Sequence, residues 1–449
     1  VFVEYADTRR EALWELVSLI LSWLVIFLSA FILIVEFFPL EVATLLSSGA
    51  SLETRTLAAS LLRISVPAVV FLSLSGVLTG VLLALKRFTL PAFTTAMFNA
   101  GIVITTLAFQ QWFGVQAMAG GLLIGAIAQV LLLFPGLHDS KLRFRFDFRH
   151  PGLRRIVLLY APIAVGLMVD IFISRPISYN LASLTGEGGI SWMGYATTLR
   201  ELPQGLVAVA VSFAILPLLS AHASAESQTV NSDEFKSTLA RGLRLVVVLI
   251  IPATVGLFVL AQPIVRLMFE HGDFVARDTQ ITTEALKYYL LGLPFAGVDL
   301  LLVFAFFARQ DTLIPSLIGI ASHVVYLLLA VALLPTMGLF SLMIADSFKQ
   351  FFHALLCALI LQRRIGLIQG GLFRTVLFTM IASAAMAGVT WGLWQGIVSL
   401  MPTASTLANL FSVLVAGMAG AVAYALLITW FGIEEIHILR QAIMRKLGK

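Results

Sequence analysis

Charge is scarce in this 449-residue chain: Asp, Glu, Lys and Arg make up 12% of it, against 59% apolar residues. A soluble domain carries about 25% charge, so a single water-exposed globule cannot hide this much apolar surface. Cysteine is scarcer still. Cys357, the one thiol, lies in an apolar run without an internal partner, which excludes an internal disulfide and leaves the redox compartment unreadable. Familiar chemical motifs are also missing: there is no HExxH, no Walker lysine loop, no GxSxG and no paired loop aspartates of a metal-dependent glycosyl or prenyl transferase. Without a P-loop the chain cannot itself hydrolyse ATP, and no catalytic residue, resident metal or cofactor is expected. The opening "VFVEYADTRREALWEL" has no initiator Met and no basic–apolar–small signal pattern, so it reads as the interior of a longer protein.

What the chain has in abundance is long apolar sequence, with a mean hydropathy of +0.98. Runs of ~20 residues, enough to cross ~30 Å of hydrocarbon at ~1.5 Å per residue, recur from end to end. The fold class is therefore an all-α polytopic membrane protein. With Gly, Pro and charge clusters as punctuation, twelve spans are predicted: 12–37, 55–85, 91–113, 115–136, 153–184, 189–221, 233–268, 279–308, 312–335, 338–362, 371–399 and 404–431. Basic residues cluster at Arg9 and Arg10, Lys86 and Arg87, the loop from Lys141 to Arg155, Lys236 to Arg244, Arg309, Arg363 to Arg374, and Arg440 to Lys446. All seven groups fall on one side of the twelve-span arrangement, while opposite loops such as "LTGEGG" and "LLPTMG" carry almost no Lys or Arg. By the positive-inside rule both ends are cytoplasmic, and the +5 net charge reflects inner loops rather than a nucleic-acid partner. The tail "IEEIHILRQAIMRKLGK" reads either as an amphipathic helix on the inner membrane face or as a fraying terminal helix.

Two segments echo one another. "PAVVFLSLSGVLTGVLLALKRFTLPAFTTAMF" and "PFAGVDLLLVFAFFARQDTLIPSLIGIA" each place Pro early in one helix, a basic residue at its inner end, and Pro at the opening of the next. This alignment pairs Pro67 with Pro294, Arg87 with Arg309 and Pro91 with Pro315. A separation of six helices preserves membrane orientation, which makes this a parallel repeat and predicts two helical lobes facing a midplane cavity, a transporter architecture.

Charges inside spans are the candidates for function. Asp170 lies ~26 Å along the fifth span from Leu153 and Arg175 ~33 Å, at ~1.5 Å per residue. A charge at the bilayer centre costs ~3 kcal/mol on insertion scales, so these side chains are expected to face protein or a wet cavity. Pro176 should kink the helix beside them. The next span carries Arg200 and Glu201 near mid-depth, followed by Pro203. Two readings stand: an interhelical ion pair, Asp170 with Arg200 or Arg175 with Glu201, or an arginine-lined cavity for an anion. Guanidinium suits phosphate because its fixed fork of donors binds oxyanions bidentately. Asp299, His323 and Asp346 are candidates for an ion relay, with Asp346 and Lys349 alternatively forming a local pair. Arg63 reads as a snorkelling residue, Asn99 and Gln129 as interhelical hydrogen bonders, and Trp391 and Trp394 as interfacial anchors.

"RELPQGLVAVAVSFAILPLLSAHAS", "PATVGLFVLAQPIVRLMFEHGDFVARDT", "ALKRFTLPAFTTAMFNAGIVI", "RHPGLRRIVLLYAPIAVGL" and the opening segment together resemble the MurJ (MviN) lipid II flippases of the MOP exporter superfamily. The resemblance is collinear over essentially the whole chain. It implies a MATE-like fold of fourteen spans in two lobes around a central arginine-lined cavity, of which this chain lacks the first span and most of the second. It further implies translocation of undecaprenyl-diphosphate-linked peptidoglycan precursor (lipid II) from the inner to the outer leaflet of the bacterial cytoplasmic membrane. Membrane potential, H+ or Na+ would drive the cycle. The implied partners are lipid II, membrane lipids and the peptidoglycan synthesis machinery, with the protein a monomer. The chain then divides into 1–149, the rest of the first lobe; 150–370, a second bundle; 371–432, the last two spans; and 433–449, the tail. One departure stands out. Where many members read "YADRL", this chain reads "YATTL", so the family arginine falls on Thr198, and Arg200 is rotated by ~200° from it. A carboxylate position of the preceding helix falls on Ser178. The expected cavity residues are Arg175, Arg200, Asp170, Glu201 and Thr198. The competing readings are a superfamily exporter of another lipid-linked oligosaccharide or of a drug or metabolite, which would favour carboxylates over arginines; a membrane-bound transferase, which needs absent acidic pairs; and a non-transporting scaffold, which needs no mid-membrane charge.

Overall fold

The computed structural model describes residues 2, 5, 10–147, 150–226, 233–366, 371–400 and 406–433. The amphipathic tail therefore lies outside the described residues, apart from Ile433. Among the described residues the only extended elements are helices. In order they are α1 (Arg10–Phe37), α2 (Pro39–Leu46), α3 (Leu52–Ser65), α4 (Ala68–Ala84), α5 (Thr89–Phe113), α6 (Gln116–Leu133) and α7 (Pro151–Val169). A π segment (Asp170–Ser174) leads into α8 (Arg175–Leu184); α9 (Gly189–Pro203) passes through a second π segment (Gln204–Val209) into α10 (Ala210–Glu226). There follow α11 (Asp233–Val259), α12 (Ala261–Phe269), α13 (Ala276–Leu290), α14 (Leu293–Ala308), α15 (Leu313–Met337), α16 (Phe340–Ile365), α17 (Leu372–Leu400) and α18 (Thr406–Trp430).

Nine described helical stretches are long and apolar enough to span a bilayer, or eleven when the bent pairs α3–α4 and α13–α14 each count as one. The fifth expected span, 153–184, lies in the helical stretch from α7 to α8 and is not among those eleven. These helices turn apolar side chains outward as well as inward. Leu400 (84% exposed), Phe373 (82%) and Trp430 (79%) would be untenable in water and suit acyl chains.

Two compact units divide the chain, Val1–Ala164 and Val165–Lys449, with the division falling inside α7. In the first unit Leu13, Trp14, Val17, Leu78, Leu82 and Leu133 form the core. Helices α5 and α6 make a tight hairpin, because a Cβ at Gly101 would run into the backbone of Gly125. The basic loop is tied down on α1: the Arg143 and Arg145 amides each donate to Ser18 and Ser22 Oγ at 3.1 Å, and Lys141 and Arg145 pair with Glu11 and Glu15. Arg63, read as a snorkelling residue, lies 3.7 Å from Glu36. Asn99 is exposed and donates to Thr95 O of its own helix, so it is no interhelical bonder. In the second unit Leu286, Leu290, Leu293, Phe306, Leu342 and Cys357 belong to one large core.

The internal echo is real in the backbone, in a corrected register. Helices α3 and α4 meet at 40°, and α13 and α14 at 44°. Lys86 (φ 61°) and Gln310 (φ 59°) are the two non-glycine residues in the left-handed region among the described residues. Each closes a helix by the same motif: the Lys86 and Arg87 amides reach Leu83 and Leu82 O, and those of Gln310 and Asp311 reach Phe307 and Phe306 O. Gly114 (φ 54°) and Gly338 (φ 53°) then end α5 and α15 alike. The matched residues are thus Arg87 and Asp311, not Arg87 and Arg309. Pro67 and Pro294 both sit at the bend but out of register by three residues, whereas Pro91 and Pro315 do match.

Candidate functional site

The two charged segments singled out in the sequence hold the two π segments found among the described residues. At Asp170–Ser174 the Arg175 amide reaches back five residues to Asp170 O, one more than an α-helix uses. Pro176 follows and has no amide to restore the usual spacing. The second π segment begins directly after Pro203. The expected proline kinks are therefore π segments, a rare form that concentrates at functional sites.

Arg175 Nε donates to Asp170 Oδ2 at 2.9 Å, within one helical stretch, and the Arg175 side chain stays 64% exposed. The other Asp170 oxygen lies 3.0 Å from His323 Nε2 on α15. His323 Nδ1 in turn lies 2.8 Å from Gly319 O. Both ring nitrogens therefore face acceptors, and the pair is satisfied only with a proton on each nitrogen or on the carboxylate. Ser178, one turn beyond, shares a 2.7 Å hydrogen bond with Tyr326, also on α15.

Arg200 is buried where Arg175 is open. It pairs with Asp346 of α16, whose second oxygen accepts from Lys349 at 2.7 Å. Its guanidinium lies over the Tyr289 ring at 5.1 Å, and the Lys349 ammonium over the Tyr326 ring at 5.4 Å. Arg200 Nε has no hydrogen-bond partner among the described residues. Neither ion pair offered by the sequence, Asp170 with Arg200 or Arg175 with Glu201, is the one formed, whereas the local Asp346–Lys349 pair is present.

Thr198 and Glu201 are exposed, and Thr198 Oγ1 donates to Gly194 O at 3.0 Å. At 100° per residue they belong to a different face of α9 from Arg200, so Arg200 does not take the place of an arginine at 198. The three relay candidates do not form one chain. His323 joins Asp170, Asp346 joins Arg200 and Lys349, and Asp299 joins His353 at 2.6 Å. Tyr289, Tyr326 and Lys349 complete the cluster without having been singled out for it. Only Lys349, i+3 from Asp346, left a trace in the sequence; the tyrosines look like ordinary core.

The "FEHGDF" segment proves architectural. Glu270 accepts from Thr279 Oγ1 at 2.6 Å and pairs with Arg266, while Phe269 and Phe274 pack on Tyr195.

The family model described as "Lipid II flippase MurJ" matches residues 1–413. A "Lipid II flippase MurJ" of Burkholderia cenocepacia is 31% identical over 369 residues, covering 79% of this chain and 69% of that protein. A "Probable lipid II flippase MurJ" of Bdellovibrio bacteriovorus is 29% identical over 368 residues, covering 81% and 69%. Among solved structures, "Lipid II flippase MurJ, inward closed conformation" superposes with a TM-score of 0.78 over 95% of this chain and 86% of that one, at 24% identity, and supports the fold. By sequence and by fold, this membrane-spanning chain belongs to the lipid II flippase MurJ family, whose members are transporters rather than enzymes.

Proposed function

We propose that this chain translocates lipid II from the inner to the outer leaflet of a bacterial cytoplasmic membrane by alternating access, with the tail cytoplasmic. The observation that carries the reading is Arg175. It sits at a π segment in the middle of an apolar helical stretch, 64% exposed, and holds Asp170 through Nε, with neither terminal amino group hydrogen-bonded among the described residues. Two parallel N–H donors with a fixed spacing are what a diphosphate oxygen pair accepts. Arg200 and Lys349, held by Asp346, form a second cationic reserve. When a diphosphate arrives, it competes with the carboxylates for these cations, so the pairs are a resting arrangement that substrate exchanges. The undecaprenyl tail stays in lipid throughout.

Of the three candidate energy sources, the geometry at His323 favours H+ over Na+ or membrane potential alone, because its contacts need an additional proton. A lipid II flipping rate in liposomes that ignores an imposed pH gradient would count against H+ coupling. The protein is proposed to act as a monomer alongside the peptidoglycan synthesis machinery. The decisive test of the site is lipid II translocation by Arg175→Ala and by an Arg175→Ala, Arg200→Ala double variant. Arg175→Ala should abolish flipping at normal expression, since a pair this exposed contributes only about 0–1 kcal/mol to stability. Undiminished flipping by the double variant would remove both arginines from the mechanism.

A further inference from the structure

Away from the arginine cluster, one group of side chains has the chemistry of a metal site. Asp299 of α14 and His353 and Cys357 of α16 bring a carboxylate oxygen, an imidazole nitrogen and a thiol sulfur within 4.8 Å of one another. His353 and Cys357 are four residues apart, which places them on one face of α16. His353 Nδ1 is 2.6 Å from Asp299 Oδ1 and 3.6 Å from Cys357 Sγ.

Two independent features of the surroundings point to a ligand. The other imidazole nitrogen, Nε2, lies 3.3 Å from Pro315 O. A backbone carbonyl at Nε2 fixes one proton there, so the proton shared between Nδ1 and Asp299 is the one an ion would replace, and Nδ1 faces Asp299 and Cys357. Protein metal sites use this outer contact to orient a histidine ligand. The second feature is access. The thiol is fully buried, but the Asp299 and His353 side chains each retain 14% exposure, so an ion has an entry path past the two harder ligands.

We infer that Asp299, His353 and Cys357 bind one divalent transition-metal ion of the zinc class, leaving a fourth position open. The donor set fixes the class. A thiolate rejects Mg2+ and Ca2+, a carboxylate disfavours Cu(I), and O, N and S donors together suit Zn2+ or Co2+. Tetrahedral zinc with bonds of about 2.0–2.3 Å spaces its ligand atoms roughly 3.3–3.7 Å apart. The sulfur–nitrogen separation already meets that spacing, and the carboxylate must withdraw from Nδ1 by under about 1 Å to admit the ion. Binding displaces the thiol proton and the proton shared between Asp299 and His353. Two anionic ligands then neutralise the dication, which suits a buried site. Because Asp299 and the His353–Cys357 pair lie on different helices, with Pro315 on α15 beside them, the ion would clip α14 to α16.

The repeat isolates the cluster. The residues matching Asp299, His353 and Cys357 in the first unit are Ser75, Gln129 and Leu133, which cannot bind such an ion.

The test uses the full, tag-free chain in detergent, stripped with a chelator and titrated with Co2+. One equivalent should produce tetrahedral d–d bands together with a thiolate-to-cobalt charge-transfer band, and Zn2+ should quench both. Cys357→Ser should eliminate the charge-transfer band, and His353→Gln should weaken Co2+ binding by at least about tenfold. Zn2+ should also slow modification of Cys357 by a thiol reagent, a readout that needs no variant and stands if Cys357→Ser does not fold. Cobalt spectra lacking the thiolate band, or thiol reactivity indifferent to zinc, would establish a plain Asp299–His353 ion pair and overturn the site. Neither readout involves lipid II, so the outcome is separate from that of the flipping assay.

Discussion

Two stretches of this protein, α3 to α6 in one unit and α13 to α16 in the other, share a backbone and differ in chemistry. The shared points are those where covalent geometry leaves few options: the bends at 40° and 44°, the left-handed Lys86 and Gln310, and the glycines at 114 and 338. The differing points are polar. Ser75, Asn99 and Gln129 in the first unit match Asp299, His323 and His353 in the second, so every titratable group of the three stands on one side of the comparison. Even a conserved kind of contact is inverted. Arg87 grips Asp139 with two nitrogens at 2.8 and 3.2 Å, whereas Asp311, the match of Arg87, takes the acid's part and Arg364, one position beyond the match of Asp139, the base's. The template constrains where helices break and leaves open which atoms occupy its faces. At these three positions one copy is neutral, and the other carries titratable groups of the ionic network and the candidate metal ligands.

That asymmetry is most sharply tested at its most buried pair. Arg200→Ala strands Asp346 beside Lys349 in the second unit, and removing one member of a buried pair costs about 3–5 kcal/mol. The thermal midpoint in detergent should fall accordingly. Arg200→Met, Asp346→Leu and Lys349→Met together should recover much of that loss, because apolar side chains of similar volume replace a desolvated triad at little cost. They should not recover lipid II flipping. A triple variant that flips at the normal rate would show the triad to be packing alone.

The inverted ion pair predicts an intermediate effect. Arg87 and Asp139 have side chains 29% and 26% exposed, and Arg87 also donates to Gly136 O at 2.5 Å. Arg87→Asp puts two carboxylates together and should lower stability by about 2 kcal/mol. Adding Asp139→Arg should restore part of it, since the second unit runs a comparable contact with the signs exchanged, its arginine one position further along the chain. The Gly136 bond sets the limit on recovery, as an aspartate at 87 has no donor to offer that carbonyl. A double variant no more stable than the single one would mean that the two contacts are alike only in appearance.

How much of this was legible in the sequence follows from which forces decide each feature. Spans could be read because lipid demands long apolar runs, and eleven of the twelve expected segments are helices or bent pairs that could span a bilayer. The repeat was visible through its prolines, but its register was not. Arg87 and Arg309 look alike as letters, and only the φ angles of Lys86 and Gln310 reveal that Arg87 stands opposite Asp311. At the candidate site, hydropathy alone exposed Asp170, Arg175, Arg200 and Asp346 as charges that need company. It could not name the company. Arg200 reaches Asp346 across 146 positions of chain, a choice made by packing of α9 against the second unit's core rather than by local spacing. The tyrosines over Arg200 and Lys349 were hidden for the converse reason, since an aromatic in an apolar run carries no sign of a second task.

The smallest effect tests the repeat itself. Lys86 and Gln310 each hold the left-handed position that ends a helix, where a Cβ is unfavourable and glycine is the usual occupant. Lys86→Gly and Gln310→Gly should therefore each stabilise the protein, by less than about 1 kcal/mol once the added freedom of the unfolded chain is set against the relief of strain. The informative quantity is the agreement between them. Each residue and the one after it make the same pair of closing hydrogen bonds in different chemical settings, one with an arginine and one with an aspartate. If the backbone motif alone governs these positions, the two thermal midpoints rise together. A rise at 310 with a fall at 86 would show that the Lys86 side chain does something its counterpart does not, and the two units would then differ in their helix ends as well as in their charges.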